Sequence, residues 1–191
     1  MIKKLVRSNN NLSNLFVPVP TVVTTFDEKE IPNAFTVSYA TSINWKPPII
    51  LISVDPKNES AMNIRATKKF TIKVLRKDKL GKEIAGGLGY ISGYDLHKFS
   101  EFKYLKEIKI NSNKRRPPVV NGAILVFHCE FIKEYEYNEL VLIIGEIKES
   151  RVIEELRNIE KLEDRSKIWR LFEELALIHV DLHEYSQIKK N

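Results

Sequence analysis

The stretch from Pro32 to Val54, PNAFTVSYATSINWKPPIILISV, limits the folds open to this chain more than any other. A turn-forming Pro32-Asn33 pair leads into a β-prone segment, Phe35 to Tyr39. A polar loop, Ala40 to Lys46, follows with Thr41, Ser42, Asn44 and Trp45. Pro47-Pro48 stops that loop, and an uninterrupted apolar strand, Ile49 to Val54, begins at once, its composition that of a strand covered on both faces. Two strands thus pin a loop of hydroxyls, amides and one large aromatic, a composition that suits a ligand site better than a plain connector.

The surrounding chain supplies partners for those strands. Val19 to Phe26 is rich in Val and Thr, and the charged turn Asp27 to Glu30 pairs it antiparallel with Ile31 to Tyr39. Asn58 is a natural N-cap for a short helix, Glu59 to Ala66, and Phe70 to Leu75 alternates apolar and polar residues as a half-exposed strand. Val119 to Phe131 is the longest strand candidate. Ala123, Leu125, Phe127, Cys129 and Phe131 form its apolar face, with His128 and Glu130 opposite. A turn at Tyr135 to Asn138 leads to a buried strand, Leu140 to Ile147. Helical spacing of apolar residues begins after Ser150, giving a helical appendage over 150–178, and residues 1–15 read as an irregular lead-in. The chain is expected to be a single domain over 1–191. With six or seven strands, mostly antiparallel, and no repeated βα units, it reads as a closed or nearly closed β-barrel decorated with helices.

Composition narrows the functions. No apolar run reaches the ~20 residues of a membrane helix, and the N-terminus makes a poor signal peptide, so a cytoplasmic protein without a membrane partner is expected. One cysteine, Cys129, excludes an internal disulfide and a thiolate metal cluster within one chain, and is read as a core thiol. The net charge of +6 is scattered; its densest clusters, at Arg76–Lys79 and Lys114–Arg116, lack interleaved aromatics, so nucleic acid is an unfavoured partner.

Several constellations can be set aside. Five of seven glycines fall between Gly81 and Gly93, which reads as loops and short turns, and the spacing fails the dinucleotide fingerprint. His179, Asp181 and His183 alternate along a terminal segment, but residues two apart on a strand lie about 6.6–7 Å apart, a loose fit to one metal. No G-x-S-x-G motif occurs. His97 and His128 are single histidines read as structural.

Against this background the sequence resembles the flavin reductase-like, FMN-binding split-barrel family, which includes flavoredoxins and the reductase partners of two-component monooxygenases. The resemblance rests on the Val-Pro start before residue 21, NAFTVSY, the Pro-Pro strand and SAMNIRATKKFTIKVL. It continues through Ile91-Ser92-Gly93, His97-Lys98-Phe99, Pro117-Pro118-Val119-Val120 and Ile144-Gly145-Glu146-Ile147, and ends near Tyr185. It implies a mainly β fold, an antiparallel Greek-key split β-barrel with peripheral helices, paired as a homodimer with FMN near the subunit interface. It further implies that Asn33 contacts the flavin edge or ribityl chain and that Ser38, Tyr39, Ala40 and Thr41 line the isoalloxazine. Ser53, Ser60 and Asn63, with Lys57 adding charge, would serve the phosphate end, with Lys98 and Tyr185 completing the cofactor set. No catalytic side chain and no metal ligand is implied.

The residues agree at one point in particular: Ser60 lies in the first turn of the helix capped by Asn58, where free N–H groups and the dipole suit a phosphate. Two departures stand out. Asn138-Glu139-Leu140-Val141 carries no histidine where many family members place one, and Ser60 stands where threonine is usual. The expected function is an FMN-binding oxidoreductase using NADH or NADPH, passing electrons to an acceptor or a monooxygenase partner. The alternatives are a non-catalytic flavin-binding or electron-transfer protein of the same fold and, more distantly, a basic β-barrel that binds nucleic acid.

Overall fold

The computed structural model describes residues 19–91, 97–102, 107–108, 116–153, 174 and 176. Strands Thr21–Phe26 (β1) and Pro32–Val37 (β2) form an antiparallel hairpin. Its turn is held by the Asp27 carboxylate, which accepts from the amides of Lys29 and Ile31 at 2.9 and 2.8 Å. Ala40–Asn44 (β3) and Ile49–Val54 (β4) form a second hairpin, and Asn58 caps the helix Glu59–Thr67 (α1), its side chain accepting from Ser60 N at 2.8 Å. Lys69–Leu75 (β5), the helices Lys79–Tyr90 (α2) and Lys98–Glu101 (α3), and the short strands Glu107–Ile108 (β6) and Val119–Val120 (β7) follow. The long hairpin of Ala123–Tyr137 (β8) and Leu140–Val152 (β9) completes the described strands.

Seven strands form one antiparallel sheet in the order β2-β1-β5-β8-β9-β4-β3, and β6 pairs with β7 apart from it. Strands from both ends of that order share one core: Val23, Phe35, Ile52, Phe70 and Ile143 pack together, closed at one end by Ala61 and Ile64 of α1. Non-adjacent strands reach one core only if the sheet curls, as twisted sheets of this size do. The expected mainly β, antiparallel architecture with peripheral helices is thus observed, but hydrogen bonds do not close the sheet, since β2 and β3 remain edges. A second core lies on the other face, where Ile84, Ala85 and Leu88 of α2 pack on Val22, Ala34 and Leu75.

Several local expectations are corrected. The polar segment Ala40 to Lys46 is not a free loop: most of it is β3, paired with β4, and its polarity reflects an exposed edge strand. β4 is fully buried on one face and half-buried on the other, rather than covered on both. The glycine cluster is largely helix, because α2 buries an apolar stripe whose gain outweighs the roughly 1 kcal/mol that each interior glycine costs. In β8 the face of Ile124, Val126 and His128 is buried, whereas Ala123, Leu125, Phe127 and Phe131 of the expected apolar face are half-buried. The β8–β9 turn is at Asn138-Glu139, later than expected, and β9 runs on to Val152. The helical appendage over 150–178 lies mostly outside the described residues, although Ala176 bridges to Arg76. His179, Asp181, His183 and Tyr185 lie outside them entirely. Among the described residues no helix is long and apolar enough to cross a membrane, and no group of acidic, Cys and His side chains could hold a metal.

Candidate functional site

A cluster of neutral hydrogen-bonding side chains sits where the β1–β2 hairpin meets the start of α1. β pairing sets Thr25 opposite Asn33, and both side chains turn toward the helix. Asn33 Nδ2 donates to Ser60 Oγ at 3.2 Å and to Glu59 Oε2 at 2.9 Å. Its Oδ1 accepts from the Ala34 amide at 2.8 Å, which fixes the orientation of the amide group. Thr25 Oγ1 donates to Ser60 Oγ at 3.3 Å and accepts from Asn63 Nδ2 at 3.3 Å. Thr25, Asn33, Ser60 and Asn63 are all buried, with Ser60 fully so and Asn33 5% exposed.

Two charged groups border this cluster. Lys98, at the start of α3, reaches across to β2 and donates from Nζ to the Ala34 carbonyl at 2.6 Å. It is 3% exposed, and burial pushes its pKa down to about 8, against the opposing pull of the Glu59 carboxylate. Burial raises Glu59 above the usual carboxylate range, with Lys98 drawing it back. Lys98 is therefore poised near a change of charge that a bound anion would bias.

The start of α1 differs from what an anion site at a helix terminus requires. The Ser60 N–H is taken by the Asn58 side chain, and the amides of Ala61 and Met62 donate to the Asn58 carbonyl at 2.9 and 3.2 Å. The Glu59 carboxylate also lies in this first turn. Ser60 therefore offers its hydroxyl rather than its amide, and what the cluster as a whole can hold is a chain of hydroxyls or an amide edge, with Lys98 supplying positive charge.

The remaining candidates form a separate group at the β2–β3 corner. The Ser53 amide donates to the Tyr39 carbonyl at 2.9 Å, and Ala40 and Thr41 pair with Ile52 and Leu51. Ser38 and Thr41 are exposed, Ser53 is half-buried, and Tyr39 is 52% exposed, a ring without a full packing partner. Lys57 lies in the exposed turn before Asn58, where its amide is held by the Asp55 carboxylate at 2.8 Å. Asn33, Ser60, Asn63 and Lys98 are thus brought together. Among the described residues, no side-chain hydrogen bond joins Ser38, Tyr39, Thr41 or Ser53 to them. Thr25 belongs to the cluster and Glu59 borders it, and neither was among the sequence candidates. The strand register opposite Asn33 could have found Thr25, and adjacency to Ser60 could have found Glu59.

Comparison with known proteins gives this geometry a setting. The curated actinorhodin polyketide dimerase of Streptomyces coelicolor is 23% identical over 133 residues, covering 70% of this chain and 69% of that protein. The flavoredoxin of Methanosarcina acetivorans superposes with a TM-score of 0.68 at 17% identity, covering 87% of this chain and 84% of its own. An FMN-binding protein of Thermus thermophilus superposes with a TM-score of 0.67 at 19% identity, over 84% of this chain and 85% of its own. Residues 14–167 match the flavin reductase like domain. On a match spanning most of its length, the chain belongs to the flavin reductase-like family.

Proposed function

We propose that this protein is an FMN-binding oxidoreductase that uses NADH or NADPH and delivers electrons to a small acceptor or to a protein partner such as a monooxygenase. The observation that carries the reading is the buried cluster of Thr25, Asn33, Ser60 and Asn63 beside Lys98, in a chain of this family. A bound flavin would supply the redox chemistry, hydride acceptance from a nicotinamide, while the chain supplies binding, orientation and charge.

Asn33 and Ser60 hold the polar edge or ribityl hydroxyls, and Asn63 with Ser53 extends that set toward the phosphate end. The exposed ring of Tyr39, with Ser38, Ala40 and Thr41, offers a surface for the isoalloxazine. Lys98 and the exposed Lys57 offset the cofactor's negative charge. A homodimer completes the reading, since Tyr39 and the β3 edge are exposed in the single chain.

Purified protein should carry FMN, seen as absorbance at about 450 nm, and should bleach under anaerobic conditions on addition of NADH or NADPH. Flavin that binds but is reduced by neither leaves a flavin-binding electron carrier of the same fold. Asn33→Ala combined with Ser60→Ala should weaken FMN binding by about tenfold or more, the loss of two buried hydrogen-bonding groups. The circular dichroism spectrum should stay unchanged. Unaltered FMN affinity in this double variant would remove the placement.

A further inference from the structure

Neighbouring residues on β1 point to opposite faces of the sheet, and the two faces carry different polar groups. Thr25 faces the Asn33 cluster, whereas the Thr24 hydroxyl donates to the Pro118 carbonyl at 2.6 Å on the other face. On that second face Lys73 is fully buried; its Nζ donates to Thr24 Oγ1, and to the Thr71 carbonyl at 3.0 Å. Thr71 pairs across the sheet with His128, and residues 116–118 pass over both strands.

A pocket opens beside this layer, lined by Thr71, Arg116, Pro117, His128, Cys129 and Glu130, with Lys69 and Lys148 also contributing. Lys148 reaches it because the β8–β9 register shifts between His128 and Cys129, leaving Lys148 as the extra residue of a bulge. The pocket offers about 50 Å³ to the centres of water-sized molecules. One water needs about 10–15 Å³ on that measure, so a molecule of a few heavy atoms can enter.

Two buried polar atoms among the described residues have no hydrogen-bond partner, His128 Nε2 and Arg116 Nη1, and both residues line this pocket. Native interiors seldom leave such groups unpaired. The hydrogen bonds around them define what each lacks. The Thr71 hydroxyl lies 3.4 Å from the Pro117 carbonyl and 3.2 Å from His128 Nδ1; with its one proton on the carbonyl, Thr71 Oγ1 accepts from Nδ1. In that tautomer His128 carries its proton on Nδ1 and presents a lone pair at Nε2. The imidazole stays neutral at pH 7, since burial, then Arg116, holds its pKa down to about 4; Lys73 and Arg151 add to this and Glu149 opposes it. Arg116 is anchored through Nη2 to Glu149 at 2.6 Å, which leaves Nη1 as a charged donor. His128 is 6% exposed, so its unpaired nitrogen is an interior feature rather than a surface one.

We propose that this pocket binds a small oxyanion that keeps one hydroxyl proton, hydrogenphosphate or a 2-hydroxycarboxylate, with an anionic oxygen on Arg116 Nη1 and the hydroxyl donating to His128 Nε2. One ligand satisfies both orphaned atoms, which an anion without a hydroxyl cannot do. The site is distinct from the Asn33 cluster, because the sheet lies between them.

The full chain as purified, dialysed free of phosphate and labelled with ¹⁵N at histidine, is titrated with inorganic phosphate, lactate and propionate, with and without added FMN. The His128 Nε2 resonance should shift saturably with phosphate or lactate, and whichever binds identifies the source. Propionate, which lacks the hydroxyl, should bind at least about tenfold more weakly. Added FMN should leave the isotherm unchanged. By calorimetry, Arg116→Lys, which keeps a charge for Glu149 but loses the second donor nitrogen, should weaken binding about tenfold. His128→Phe should do the same. The proposal is overturned if neither phosphate nor lactate gives a saturable shift up to about 10 mM, a concentration beyond millimolar affinity. It is also overturned by equal binding of propionate, by competition with FMN, or by an unchanged affinity in Arg116→Lys.

Discussion

Asn33 has every polar atom of its side chain committed within the protein, two donations from Nδ2 and one acceptance at Oδ1. A ligand that accepts from Asn33 must therefore displace one of its two donations, and the Asn33–Glu59 contact is the natural one to give way because Glu59 is the half-buried member. Lys98 adds a pH dependence to that exchange. Burial lowers its pKa to about 8, so it is charged below that pH and neutral above it. An anionic cofactor favours the charged form, so its affinity should be highest below pH 8 and fall as the pH rises through 8. The drop should be about tenfold, the size of one charge-assisted hydrogen bond. Fluorescence titration of FMN from pH 6 to 10 would show the trend, and Lys98→Met should flatten it. A pH-independent affinity in the unsubstituted chain would place the cofactor's charge away from Lys98.

At the scale of elements, one glycine ties β9 to the core. A Cβ at Gly145 would lie 2.4 Å from Cζ and 2.6 Å from Cε1 of the Phe70 ring, which is fully buried and cannot swing aside. Gly145→Ala should therefore destabilise the fold by about 1–3 kcal/mol, as overpacking does, read as a lower midpoint in urea. Gly89→Ala, with nothing near its Cβ and a place in α2, should do no harm in the same experiment. These two glycines also show what the sequence made legible. Val- and Thr-rich composition marked β1, the charged turn after it marked β2, and Asn58 announced α1 by capping its first turn. Alternation marked β5 as a half-exposed strand, whereas Thr71 and Lys73 on its polar face are fully buried under neighbouring chain. Periodicity gave no warning that α2 would hold Gly86, Gly87 and Gly89 in a helix, since their low propensity is overridden by packing of Ile84 and Leu88 on a distant strand face. The site divides in the same way. Asn33, Ser60 and Asn63 were legible through a short, ordered motif, whereas Thr25 enters only through strand register. The pairing of half-buried Arg116 with buried His128 enters only because residues 116–118 pass over β5 and β8, which local sequence does not encode.

Among the described residues the molecule presents a curled sheet with two unpaired edges, β2 and β3, and one apolar margin. β3 is an edge strand, and along it and its turn Tyr39, Ile43 and Trp45 are exposed, Trp45 by 78%. An unpaired edge with large apolar side chains invites pairing with another chain, and a monomer with no partner for it would be prone to aggregate. A second copy of the chain is the partner proposed above, and a dimer across this margin would cover the Tyr39 ring that the proposed cofactor packs against. Trp45→Glu places a charge at the centre of such a contact while leaving the fold alone, because the side chain is almost fully in solvent in the single chain. Sedimentation equilibrium should then give a dimer for the unsubstituted protein and a monomer, or a dimer at least tenfold weaker, for Trp45→Glu. If the Tyr39 corner is completed by the partner, FMN affinity should fall in parallel with dimerisation and recover at high protein concentration. A Trp45→Glu protein that stays dimeric places the interface elsewhere. One that becomes monomeric with full FMN affinity shows instead that the cofactor is held by a single chain, through the Asn33 cluster and Lys98.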